Sequence, residues 1–258
     1  MKKTKIIIPA LGLLLLSTAA SVTGTVAWFS SINSVTASSM TIKATVGANL
    51  YIAKGASVAL ASLTGNAVTD LQSSSTAVSP ADMSFSTDTV TVRYATGYST
   101  APTQGTAGTG NEWQAAGTLT VTTATNNASP ALNLADYCVY SYVTIARKQT
   151  SAGTYDLTPA CTITCGASSL LNKSLRCGLL MNDQWIKSDD MNTASGSIAF
   201  TFGSQKVTSL SDNTAYSACL VVWFEGEDSD CFTNNAIDLS TNTAAWTFTS
   251  ADHVVVNP

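Results

Sequence analysis

The sequence predicts an all-β fold, and three observations carry that expectation. Apolar residues recur with period two: Met40, Ile42, Ala44 and Val46 alternate with Thr41, Lys43 and Thr45, the pattern of a strand with one buried face. The runs that show it are rich in Val, Ile, Thr, Tyr and Trp, side chains that fit a pleated surface. Between them lie Gly-, Ser- and Asn-rich connections without helical periodicity, as a sandwich or jelly roll requires and a β-α-β chain does not.

Taken in order, nine strands are expected: Met40 to Val46, Thr89 to Tyr94, Thr118 to Thr123, Tyr137 to Arg147, Cys161 to Cys165, Leu175 to Met181, Ser197 to Phe202, Ser217 to Phe224 and Ala245 to Thr249. Only Ser168 to Lys173 reads as a short helical turn. Leu71 to Asp82 is Ser/Thr-rich with a proline, Gly97 to Asn111 is a Gly/Thr run containing Pro102, and Asn182 to Gly196 carries most of the local acid; all three read as loops. The 258 residues are enough for one large core. Residues 40–258 are therefore expected to form one β-sandwich domain with loop insertions near 97–111 and 182–196.

Charged residues make up only 11% of the chain, and Thr, Ser, Ala and Asn fill the polar positions. The formal charge is -4 and the pI about 4.8, so no basic field exists to neutralise phosphates, and nucleic acid is excluded as a partner.

The N-terminus has the parts of an export signal over residues 1–27. Lys2, Lys3 and Lys5 form a positive region, Ile6 to Leu16 an apolar one, and small residues follow, with cleavage sites at Thr18-Ala19-Ala20 or Thr25-Val26-Ala27. A retained anchor helix competes, because the low-charge stretch from Ile6 to Phe29 exceeds the roughly 20 residues a membrane span needs. The Ser, Thr and Gly of its tail favour cleavage, which removes three lysines and takes the charge from -4 to -7. A secreted or cell-surface location is expected, with membrane contact only through an uncleaved N-terminus.

Six cysteines, Cys138, Cys161, Cys165, Cys177, Cys219 and Cys231, read as disulfide material in an exported chain. Cys161 and Cys165 cannot bridge each other along one extended strand, since four residues at about 3.3 Å each exceed what a disulfide tolerates. Cys219 and Cys231 flank a loop-like stretch and are candidates to tie its base. Zinc is disfavoured, because His253 is the one imidazole and no paired CxxC accompanies it. The same scarcity weighs against catalysis: a Ser-His-Asp triad could use only His253, near the C-terminus where chain ends are usually mobile, and HExxH is absent.

Glu225, Glu227, Asp228 and Asp230 place four carboxylates within six residues, a weak candidate for calcium whose bland reading is a solvated hairpin tip. Asp183, Asp189 and Asp190 form a looser second group. Trp113 and Trp185 sit in loop-like sequence and are the candidates for stacking on a glycan, whereas Trp223 and Trp246 alternate within strands as core residues do.

The segment TGTVAWFSSINSVTASSMTIKA, Thr23 to Ala44, resembles the start of TasA and camelysin-like proteins, which are exported with SipW-type signal peptides. Gly24, Ala27, Trp28, Phe29 and the Met40/Ile42 alternation occupy the matching positions, and ACLVVWFEGEDSDC, Ala218 to Cys231, is similar to a strand and acidic turn of that group. The resemblance implies a jelly-roll-like sandwich that polymerises with copies of itself by donor-strand complementation, residues 28–39 being the donor and Trp28, Phe29, Ile32 and Val35 its anchors. The camelysin branch is described as metalloprotease-like, but one histidine cannot build that site. The expected function is thus a structural subunit of a cell-surface or biofilm-matrix fibre. A monomeric secreted module that binds glycan, cell-surface or matrix components is the alternative, and the donor segment folding back as an edge strand of its own domain is the bland reading of that segment.

Overall fold

The computed structural model of the chain describes residues 35–36, 40–72, 77–86, 89–95, 113–122, 124–125, 134–165, 170–189, 197–200, 202–226, 228, 231 and 242–253. The signal segment, Trp28, Phe29 and Ile32, and the expected loop 97–111 lie outside them. The described residues are mostly strand: β1 Val35–Thr36, β2 Thr41–Val46, β3 Leu50–Lys54, β4 Ala67–Gln72, β5 Ala77–Val78, β6 Asp82–Ser86, β7 Thr89–Ala95, β8 Trp113–Thr120, β9 Ala124–Thr125, β10 Val139–Arg147, β11 Thr154–Thr164, β12 Leu175–Met181, β13 Gln184–Lys187, β14 Ser197–Phe200, β15 Val207–Ser211, β16 Tyr216–Phe224 and β17 Thr243–Asp252. The expected helical turn is a 3-10 turn at Leu170–Ser174. Among the described residues no helix is long and apolar enough to cross a membrane.

Two large sheets face each other. One runs β13-β12-β16-β10-β3, the other β14-β11-β17-β2-β4, with β15 also paired to β11. In the second sheet the first long strand and the last lie side by side: β2 pairs β17 in parallel from Thr41↔Thr243 to Val46↔Phe248. The main core between the sheets takes Ile42 and Ala44 from β2, Tyr155, Leu157, Cys161 and Ile163 from β11, and Trp246 and Phe248 from β17. Opposite them stand Val143 and Ile145 of β10, Cys177 and Leu179 of β12, and Leu220, Val222 and Phe224 of β16. Each set is spaced by two, so the pleat delivers one face of each strand to the same interior.

A third sheet, β6-β7-β8-β9, adds a layer to the sandwich. It covers the outer face of the β12-β16-β10 sheet, where Met83, Val90, Val92 and Leu119 pack against Leu180, Cys219, Val221 and Trp223. The middle strands are consequently buried on both faces, which is why every residue of β12 is buried and why β16 reads as the near-continuous apolar run ACLVVWF. A parallel bridge ties the layers where the chain enters the third sheet: Ala81 N–H donates to Phe224 O and Gly226 N–H to Ala81 O, both at 3.0 Å.

Two of the expected loops contain strand. Leu71 to Asp82 holds the end of β4, β5 and the start of β6, and Asn182 to Gly196 holds β13. In the second case the chain reverses in two residues, Asn182 and Asp183, both at positive φ (50° and 55°), which is the type I′ turn that Asn and Asp accommodate and that matches strand twist. The candidate insertion at 182–196 therefore begins with a tight hairpin, and Trp185 is a strand residue, paired with Leu180. Trp113 likewise opens β8 and does not lie in a loop.

Candidate functional site

Chemistry-bearing side chains gather mainly at the ends of β10, β11, β15 and β17. Asp156 of β11 is 3% exposed although Thr154 and Thr158, on the same face of the strand, are exposed. Three donors account for its burial. Lys206 Nζ reaches Oδ2, Ser209 N–H reaches Oδ1 at 3.2 Å, and His253 Nδ1 stands 2.6 Å from Oδ1. Burial pushes this carboxyl up, but the hydrogen bonds from Lys206, His253 and Ser209 outweigh it and hold the carboxyl below the ordinary range. His253 is not on a loose chain end as expected: its own N–H donates to Thr154 O at 3.0 Å, continuing the β17 register against β11.

Ser209 Oγ stands 3.5 Å from His253 Nε2, so serine, histidine and aspartate follow one another in the order of a hydrolytic relay. The rest of the geometry serves a different end. Asp156 spends its second oxygen on Lys206, and the Ser209 N–H, the group that would face a developing oxyanion, is consumed by Asp156 itself. Ser209 holds φ 60°, a conformation costly for a residue with a Cβ, which this cluster of hydrogen bonds offsets.

A second cluster clamps the two large sheets. Arg147, the last residue of β10, is 5% exposed; Nε donates to Asp212 Oδ1 at 2.6 Å, Nη2 to Asp212 Oδ2 at 3.2 Å, and Nη1 to Asp252 Oδ1 of β17 at 2.8 Å. Its guanidinium also lies 4.6 Å from the centre of the Tyr155 ring. Sequence reasoning missed this clamp. Its members lie 65 and 105 positions apart, and the one local signal is a lone arginine closing the apolar run YVTIAR.

The acidic turn after β16 points inward. Glu225 is 8% exposed, and its Oε2 accepts the Trp223 indole N–H at 3.3 Å; Asp228 Oδ2 accepts from Arg176 at 2.7 Å. Burial pushes the Glu225 carboxyl above the ordinary range. Glu225 and Asp228 thus serve Trp223 and Arg176, which departs from a solvated hairpin tip; Glu227 and Asp230 lie outside the described residues. Among the described residues no group of three or more His, Cys, Asp or Glu is placed to hold a metal ion.

Trp185 is half-buried. Its ring covers Gly178, where an added Cβ would come within 2.1 Å of the indole, and it stacks at a tilt on Trp223 with centroids 5.9 Å apart. Trp223 and Trp246 are core, both 1% exposed, as their alternation predicted.

All six cysteines are thiols in the structure. Burial pushes Cys165 up to about 11 and Cys219 and Cys231 up to about 12, so none of these is a ready nucleophile. Cys219 faces the third sheet while Cys231 packs against the main core, on opposite sides of one sheet, so the expectation that these two tie a loop base is not met.

The fold and these clusters together define an all-β protein whose buried charges brace its layers. No family model, curated protein or solved structure matches the chain.

The Asp156 cluster sets a pH dependence. A carboxylate whose pKa is lowered by folding contributes stability that is complete above its unfolded value, about 3.9, and drains away as pH falls toward the lower folded value. Asp156→Asn is expected to cost about 2–3 kcal/mol at pH 7, because the hydrogen bonds to a buried charge weaken while Lys206 and His253 keep access to water. Urea titrations at pH 7 and below pH 4 check this: the gap between variant and wild type should narrow on acidification, and a gap independent of pH would assign the loss to packing.

Proposed function

We propose that the chain is an exported structural subunit of a cell-surface or matrix fibre, with a jelly-roll-like sandwich body, and that copies join through the segment around Trp28 to Val35. The observation this reading builds on is the β1–β5 pair, which holds the end of the segment against its own domain, as the fold-back alternative for that segment also expects. Val35 and Thr36 pair antiparallel with Val78 and Ala77 in a ladder of two residues that joins none of the larger sheets, and Val78 is buried in the main core. The body therefore has a place where an extended segment ending at Val35 can add to it. A ladder this short holds its own chain weakly, and the same segment of a neighbouring copy can take the register, as in strand exchange. Burying Trp28 and Phe29 in a neighbour, at 150 to 250 Å² each and about 25 cal/mol per Å², contributes roughly 8 to 12 kcal/mol before ordering costs.

Catalysis has no part in this reading. The ion pairs of Asp156, Arg147 and Arg176 are internal, and their work is to hold a low-charge β body together.

Negative-stain microscopy of the secreted protein tests the proposal. Filaments are expected, and a chain lacking Trp28 to Val35 is expected to stay monomeric with its circular dichroism unchanged. A full-length protein that remains single at high concentration, with Trp28 held in its own body, overturns the assembly role; a monomer of that kind that binds glycan supports a binding module instead.

A further inference from the structure

We propose that Cys161 and Cys177 form a disulfide that staples the two large sheets through the main core. Cys161 lies on β11 opposite Phe200 and Trp246, and Cys177 on β12 opposite Val222, so the two belong to different sheets. Both point into the same interior, at 2% and 0% exposure. The two sheets face each other across this core, and after burial Cys177 is the cysteine whose presence raises the Cys161 thiol, as expected of neighbours whose sulfurs could close to the about 2.05 Å of an S–S bond. Both residues belong to the buried apolar cluster between the sheets.

Cys138 and Cys219 do not compete for either sulfur. Cys219 sits opposite Tyr142, whereas Cys138 immediately precedes Val139, which sits opposite Val222. Cys138 and Cys219 also face the third sheet, on the far side from Cys161.

The oxidant comes from outside the chain, so the proposal rests on the export reading. One cysteine thiolate attacks an acceptor disulfide of the glutathione or dithiol-oxidoreductase class, giving a mixed disulfide and releasing one acceptor thiol. The second thiolate then displaces the other acceptor sulfur. Two S–H bonds are lost and one S–S bond forms, and two electrons and two protons end on the acceptor as thiols. Burial pushes the Cys161 thiol well above its ordinary range, so exchange is slow once the core has closed. The bond forms while the sheets are still open and afterwards resists reductant.

The test is peptide mapping of the full chain in two arms, each with thiols blocked by iodoacetamide in denaturant and digestion without reductant. One arm uses protein isolated from the medium, the other reduced, unfolded protein refolded in mixed oxidised and reduced glutathione. A Cys161–Cys177 cross-linked peptide is expected in both. Cys161 joined to another cysteine, or both residues alkylated in both arms, overturns the pairing whatever the compartment. The linked peptide after refolding with six alkylated cysteines in the isolated protein overturns the bond in the native protein and places the failure in the export reading. The bond closes a separation of 16 residues, so Cys161→Ala and Cys177→Ala should each lower the melting temperature by roughly 6 to 12 °C, with the double variant little lower than either.

Discussion

Replacing Arg147 by methionine is expected to cost about 3–5 kcal/mol, a large share of the 5–15 kcal/mol that holds a typical domain folded. The reason lies in what the substitution leaves behind. Asp212 is 9% exposed and takes both oxygens to the guanidinium; without it, a carboxylate remains in a site with little access to water. Asp252 loses its partner at small cost, because its side chain is 87% exposed. Adding Asp212→Leu should restore much of the loss, since removing both charges also removes the desolvation penalty. Urea denaturation of the two single variants and the double variant gives the coupling directly. A single-variant loss below about 1 kcal/mol would place the pair with solvated surface bridges and sink the account of Arg147 as a clamp between sheets.

Much of the fold was legible where one physical cause acted alone. The expected strand Leu175 to Met181 coincides with β12, and Ser217 to Phe224 differs from β16 by one residue, because burial on both faces leaves an apolar run with clear ends. That both faces are covered was not legible, since nothing local in β16 says that β6, β7 and β8 return to pack on its back. β11 was read as Cys161 to Cys165 but starts at Thr154. Two features disguised its first half. Asp156 breaks the expected polarity because its partners are remote in sequence, and Pro159 argues against a central strand. The proline is tolerated because β15 pairs β11 as far as Leu157 and β14 begins at Cys161, leaving a gap along that edge where Pro159 sits. β13 was missed because Asn182-Asp183 reads as the start of a loop rather than as a complete two-residue turn.

The candidate site was less legible for a related reason. A sequence shows which groups exist; it does not show which of them meet. His253 stood out as the one imidazole, yet its engagement with Asp156, 97 positions away, follows only from β17 lying against β11. The Glu225–Asp230 run read as a solvated hairpin tip or, more weakly, a calcium site, whereas Glu225 is drawn inward by the bridge to Ala81 and by the Trp223 indole. The inward alternation of Trp223 and Trp246 needed no partner to be recognised, and both were read correctly.

Trp223 is where the third layer is most exposed to a single substitution. Its side chain is among the largest in the second core, which otherwise relies on residues such as Met83, Val90, Val92, Leu119, Leu180 and Val221. It also carries Trp185 on one side and supplies the hydrogen bond to Glu225. Trp223→Ala is expected to cost about 3–5 kcal/mol through the cavity alone, with Glu225 left buried and short of a donor in addition. The loss should not spread evenly. The main core keeps Leu220, Val222 and Phe224 from the neighbouring positions of β16, since these point the other way. Amide hydrogen exchange should therefore accelerate in β6, β7 and β8 while β11 and β17 stay protected, the signature of one layer opening before the rest. Uniform acceleration across all three sheets would mean that the layers unfold as one unit and that the second core is not a separable contact.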